Sequence, residues 1–104
     1  MSATKITVPF LEHDNELAYR WNENKSKEWM DKNGWIVGCN YIPSNAINQL
    51  EMWQEESFDP ILIDKELSMA ADLGFNTIRV FLHQLVWEND QAGYLNRIDL
   101  FLAI

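Results

Sequence analysis

The stretch that most constrains this chain is Phe58 to His83, FDPILIDKELSMAADLGFNTIRVFLH. It reads as one capped helix that passes through a single glycine into a buried strand. Asp59 stands at the N-cap and Pro60 at the first helical position, where a missing N–H costs nothing and a fixed φ suits the turn. Phe58 and Ile63 are spaced for a hydrophobic staple. Ile63, Leu67, Ala70 and Ala71 recur at helical spacing, with Asp64, Lys65, Glu66 and Asp72 elsewhere on the wheel. The helix therefore has one apolar stripe and one wet side. Gly74 offers the left-handed conformation that ends such a helix, and Phe75 can fold back onto its last turn.

Beyond the glycine, residues 76–83 alternate. Ile78, Val80 and Leu82 make an aliphatic face suited to packing under helices, and Thr77, Arg79, Phe81 and His83 make the other. A second short apolar run, residues 35–42, starts after Gly34 and stops at Pro43. Strand, loop, helix, strand is a βαβ unit with parallel strands, so the expected fold class is α/β. Cys39 is the single cysteine; it can form no intramolecular disulfide and is expected to be a small core hydrophobe.

On either side of this unit lie two helical segments. Residues 14–33 are polar and helix-compatible, with Ser26 the expected cap of a short helix that holds Trp29 and Met30 and ends at Gly34. Residues 1–34 are accordingly read as an N-terminal extension, and 35–104 as the βα region. After Gly93, residues 94–104 begin a second amphipathic helix that ends on apolar residues without a cap. Two parallel strands with so few helices leave sheet surface uncovered, which parallel sheets do not tolerate. The expectation is that this is the first part of a larger domain, or a module that forms oligomers or aggregates through open sheet edges.

At 104 residues the chain is of single-domain size, without repeats or low-complexity linkers. Its net charge of −8, with eight scattered Lys and Arg, excludes nucleic acid and anionic membrane as expected partners, because phosphate binding needs clustered cations. Neutral ligands fit. Residues 1–10 lack the basic and apolar regions of a signal peptide, and no segment is long enough to span a bilayer, so the chain as written reads as cytoplasmic. No phosphate loop, nucleophile elbow or zinc motif occurs. His13 and His83 are too few and too far apart for a metal site, and no cofactor is expected.

The runs GWIVGCNYIPSNAINQLEMWQ, FDP, ELSMAADLGFNTIRVFLH and VWENDQAGYLNRID together resemble the opening of bacterial (β/α)₈-barrel glycoside hydrolases, of the cellulase-like family 5 type. The resemblance runs from about Trp21 to the end, roughly a quarter of a barrel of about 250 residues. It implies a β-α-β-α portion of such a barrel behind a leading helical segment, and a retaining endo-β-glycosidase activity on a β-linked polysaccharide or oligosaccharide.

In such barrels the chemistry sits at the C-terminal ends of the strands. Arg79 matches the arginine that the superfamily points into the barrel to support the nucleophilic carboxylate, where its paired hydrogen bonds keep that carboxylate ionised. Its structural counterpart is a buried ion pair. Asn40 is expected to touch a sugar hydroxyl or to cap a loop, and Tyr41 is similarly open. His83 either bonds a hydroxyl or orients an acid, or is a satisfied core histidine. Trp53 and Trp87 fall on the two βα loops and either stack on a pyranose or anchor those loops, core packing being the better reading for each alone. The loop from Pro43 to Ser57, polar at Asn45, Asn48, Gln49 and Glu51, has the length and character of a binding loop. Retention needs two carboxyl groups about 5 Å apart, which the family carries after its fourth and seventh strands. Glu51, Glu55, Glu56 and Glu88 read as solvated, so no catalytic residue is assigned and the chain alone is expected to be inactive.

Overall fold

The computed structural model describes residues 20–104; the readings of residues 1–10 and of His13 lie outside them. The described residues fall in two compact units, one ending at Trp35 and one spanning Ile36–Ile104. In the first, helix α1 covers Glu23–Asn33, and none of its residues is buried. Its cap is Asn22, whose side-chain oxygen accepts the Lys25 N–H at 2.8 Å, and not Ser26. The serine lies one turn inside, its own N–H donating to the Asn22 carbonyl, so it has no free first-turn donor to satisfy.

The second unit runs β1 (Gly38–Asn40), α2 (Gln49–Trp53), α3 (Pro60–Asp72), β2 (Thr77–Arg79), α4 (Gln84–Asn89) and α5 (Gln91–Ala103). It is mixed helix and strand, mostly helical, around a small parallel sheet. Gly38 pairs with Thr77, Cys39 with Ile78 and Asn40 with Arg79. Both strands are shorter than their apolar runs, and among the described residues each has only the other as a partner. Backbone bonding reaches one residue beyond each end of β1: Val37 O accepts from Asn76 and Thr77, and Tyr41 N–H donates to Arg79 O at 2.8 Å. Gly38 is required by close approach, since a Cβ there would overlap the Thr77 carbonyl.

Helix α3 forms as its local signals dictate. Asp59 Oδ1 accepts the Leu62 N–H at 3.0 Å, and Ile63 is its buried residue. At the far end Gly74 takes φ 97°. Its N–H donates to Ala71 O at 2.9 Å and that of Phe75 to Ala70 O at 3.0 Å, the two bonds of a Schellman cap.

The core lies at the strand exits. Met52, Trp53, Val86 and Tyr94 are buried together, with Tyr41, Phe58, Val80, Ile98 and Phe101 partly buried around them. Trp53 stacks on Phe58 at 6.1 Å and meets Tyr94 and Phe101 edge-on at 5.8 and 5.4 Å. Arg97, only 8 % exposed, reaches into this cluster from α5. Its Nε donates to the Trp53 carbonyl at 2.6 Å, and its Nη2 to Asp90 Oδ2 at 2.9 Å.

Several expectations are corrected. Trp53 and Trp87 lie on helices α2 and α4 rather than on loops. Helix α5 begins before Gly93, capped by Asp90, whose carboxylate accepts the Gly93 N–H at 3.2 Å. Cys39 is exposed, as is every residue of β1, because among the described residues no layer covers that strand. Leu82 is 61 % exposed: β2 ends at Arg79, so the strand alternation that placed Leu82 on the aliphatic face no longer governs it.

Candidate functional site

The register places Asn40 beside Arg79 at the ends of the two strands. Side chains alternate across a sheet, so Thr77 and Arg79 share the face that Asn40 occupies, and Phe81, beyond the strand, has its ring under the Arg79 guanidinium. Ile78 and Val80 turn the other way, and Val80 packs on the core. The strand ends open into a cleft of about 240 Å³. Asn40, Tyr41 and Ile42 enter it from β1, Phe81 from the exit of β2, and Ile47, Asn48, Gln49 and Met52 from the approach to α2. This is where parallel α/β sheets present ligands, beyond the carboxyl ends of their strands.

Among the described residues no carboxylate, lysine or arginine lines the cleft, and Tyr41 is its only titratable group. Its hydroxyl donates to Glu66 Oε1 on α3 at 2.9 Å. Burial, the bond to Glu66 and the negative charges of Glu66 and Asp59 push the phenol above its ordinary range, so it remains a protonated donor. Glu66 also accepts the Ser44 N–H at 3.1 Å. Burial works against the ionised form of Glu66, but the donors on Ser44 and Tyr41 and the charge of Lys65 outweigh it and hold the carboxyl below the usual glutamate range.

The loop amides divide between structure and cleft. Asn45 donates to Asp59 at 3.2 Å, and Asn48 uses its side-chain oxygen to accept the Glu51 N–H at 3.0 Å. Glu51 in turn accepts from the N–H of Ile47, the residue before the cap, so both the cap and its neighbour are tied to the first turn of α2. Asn40, Asn48 and Gln49 line the cleft, and the amide nitrogen of Asn48 and the whole side chains of Asn40 and Gln49 make no hydrogen bond to any described residue. With Ile47, Met52 and Phe81 they form a neutral surface of amides and apolar groups.

The remaining expected residues have other places. Trp53 is 0 % exposed, and its indole N–H donates to the Phe81 carbonyl at 2.8 Å. The substrate-stacking reading of Trp53 is corrected to a core role, because neither ring face is open. It braces the backbone of a cleft residue from behind. His83 caps α4: Nδ1 accepts the Leu85 N–H at 3.1 Å, and its own backbone N–H donates to the Tyr94 hydroxyl at 3.0 Å. Trp87 is 43 % exposed and lines no part of the cleft. Arg79 is exposed, with its guanidinium 4.7 Å over the Phe81 ring; no described carboxylate pairs with it.

A larger cavity of about 450 Å³ lies between Gln54–Glu56 and the Asn89–Arg97 segment. None of the expected residues lines it. It is the solvent mouth of the Arg97–Asp90 pair, away from the strand ends. Bonds from Arg97 and from the Gly93 N–H hold Asp90 below its ordinary range. Among the described residues no group of three or more His, Cys, Asp or Glu could hold a metal ion, and no helix is long and apolar enough to cross a membrane.

Sequence reasoning missed Glu66 and Arg97. Both sit on amphipathic helices where a charged residue reads as solvated, and for Arg97 the only local signal is a capping aspartate seven residues earlier. No protein-family model, curated protein or solved structure matches the chain.

Proposed function

We propose that this chain supplies a saccharide-binding wall, formed by the first two βα units of a (β/α)₈-type retaining β-glycosidase of the cellulase, xylanase or mannanase class. The observation that carries this reading is the neutral cleft at the C-terminal ends of β1 and β2, lined by Asn40, Tyr41 and Phe81. Amides can share hydrogen bonds with sugar hydroxyls, and apolar and aromatic groups suit the C–H faces of pyranose rings. Exposed Arg79, with no described carboxylate beside it, leaves its guanidinium available to a carboxylate brought by further strands.

Retention requires two carboxyl groups about 5 Å apart, and among the described residues none lines the cleft. The chain therefore contributes binding and positioning, and hydrolysis of O-glycosidic bonds belongs to the completed barrel. Calorimetric titration of the purified chain with cellohexaose, xylohexaose and mannohexaose tests this. Saturable binding of at least one, together with no turnover of p-nitrophenyl β-glucoside or β-xyloside, is expected. Absence of binding to all three defeats the reading, and turnover by this chain defeats its division of labour.

One observation favours a second reading. Among the described residues each strand has an unpaired edge and β1 is exposed throughout, which suits an α/β module that assembles by edge pairing. A single oligomer of defined mass in solution, with no saccharide affinity, would favour this module instead.

A further inference from the structure

Glu66 belongs to α3 and does not line the cleft, yet one of its oxygens holds the cleft's β1 side. The Tyr41 hydroxyl and the Ser44 N–H both donate to Oε1, at 2.9 and 3.1 Å. Between these donors lie Ile42, which faces the cleft, and Pro43, which is buried. The carboxylate thus ties both ends of a four-residue turn to the helix behind it. Tyr41 is held at its other end by its backbone N–H on Arg79 O, at 2.8 Å.

We propose that Glu66 is a positioning residue whose charge state sets the shape of the cleft: ionised, it pins Tyr41 and the turn to Ser44, and protonated, it lets them move. The consequence for ligand binding rests on the saccharide reading of the cleft. Hydrogen bonds to an ionised acceptor are shorter and stronger than those to a neutral one, and here a single oxygen carries two. Protonation leaves a neutral carbonyl in its place and weakens both bonds together. The charged and titratable groups that act on it are Lys65 on α3 and Tyr41 on the turn, and Asp59 at the helix cap acts on Tyr41. Lys65 favours the ionised carboxylate, and Tyr41 stays protonated across the acid and neutral range.

The direction in pH follows. A carboxyl held below its ordinary value contributes fully at neutral pH, and its contribution is lost as pH falls through the folded-state value. The pin therefore holds at pH 7 and opens in acid. Glutamine keeps an acceptor oxygen but cannot titrate; alanine removes the acceptor.

The test compares the wild type with Glu66→Gln and Glu66→Ala by amide NMR from pH 7 to 3, and by hexaose affinity at pH 7. In the wild type the Ser44 and Ile42 resonances should titrate together, below the usual glutamate range, and in Glu66→Gln that step should vanish. At pH 7 the hexaose affinity of Glu66→Gln, whose neutral carbonyl matches the protonated carboxyl, should fall about threefold, and that of Glu66→Ala should fall about tenfold, the scale of one charge-assisted bond. A Ser44 titration that survives in Glu66→Gln overturns the proposal, as does a Glu66→Ala affinity equal to wild type. If the wild type binds no hexaose, the saccharide reading fails, while the Ser44 and Ile42 titrations still decide whether Glu66 pins the turn.

Discussion

The aromatic cluster around Trp53 is closed on every side, its indole surrounded by three rings and its carbonyl bonded to a buried guanidinium. The sheet beside it leaves all of β1 in solvent. The difference shows that this unit is held together at the strand exits rather than across the sheet. Two bonds from the cluster, Trp53 Nε1 to Phe81 O and His83 N–H to the Tyr94 hydroxyl, fix the chain as it leaves β2. The cleft residues thus take their positions from a core they do not join, which frees the sheet face to remain polar and open.

The comparison can be broken most directly at Trp53. Replacing it with alanine should cost about 3–5 kcal/mol, most of the stability of a chain this size, and the cleft should be lost with it. Urea unfolding would read the change; a loss below about 1 kcal/mol would show that the cluster is not the anchor. Next comes Arg97→Met, which leaves the Trp53 carbonyl without its donor and should cost about 2 kcal/mol. Asp90 is held below its ordinary value mainly by Arg97, so its contribution is present at neutral pH and disappears as pH falls through the folded-state value. The stability gap between wild type and Arg97→Met should accordingly narrow in acid.

Gly38→Ala acts on the sheet alone. Its Cβ would overlap the Thr77 carbonyl, and the displacement should cost about 1–2 kcal/mol. Hydrogen exchange should quicken at Tyr41, whose N–H bonds Arg79 O, while protection inside α5 stays unchanged. Equal loosening of both regions would contradict their separation. The smallest effect is expected from Arg79→Ala, which removes an exposed cation from the Phe81 ring and should cost under about 1 kcal/mol. Thermal melting would measure it, and a larger loss would mean that Arg79 is structural.

The parts legible in the sequence are those whose cause is local. Helix α3 and its two caps follow from Asp59, Pro60, Gly74 and Phe75, all within a turn of the ends they define. The parallel pairing of two strands and the positions of Asn40 and Tyr41 at the strand ends also follow from the order of elements. For Trp53 core packing is the better reading of the sequence and holds, although its burial depends on which way the short helix α2 faces, which no local signal sets. His83 looked like a member of the Arg79 face by alternation, but the chain leaves the strand after Arg79 and the imidazole caps α4. Glu66 and Arg97 were hidden for one reason: each is a charged residue on an amphipathic helix with a partner distant in sequence, Tyr41 and Ser44 for Glu66 and the Trp53 carbonyl for Arg97.

The account turns on the cleft at the strand ends. Amide NMR of the chain titrated with cellohexaose, xylohexaose and mannohexaose examines it residue by residue. At least one sugar should move the resonances of Asn40, Ile42, Gln49 and Phe81 and leave Gln54, Glu56 and Asn89 in place. No movement with any of the three, or movement centred on the cavity beside Arg97, would contradict it.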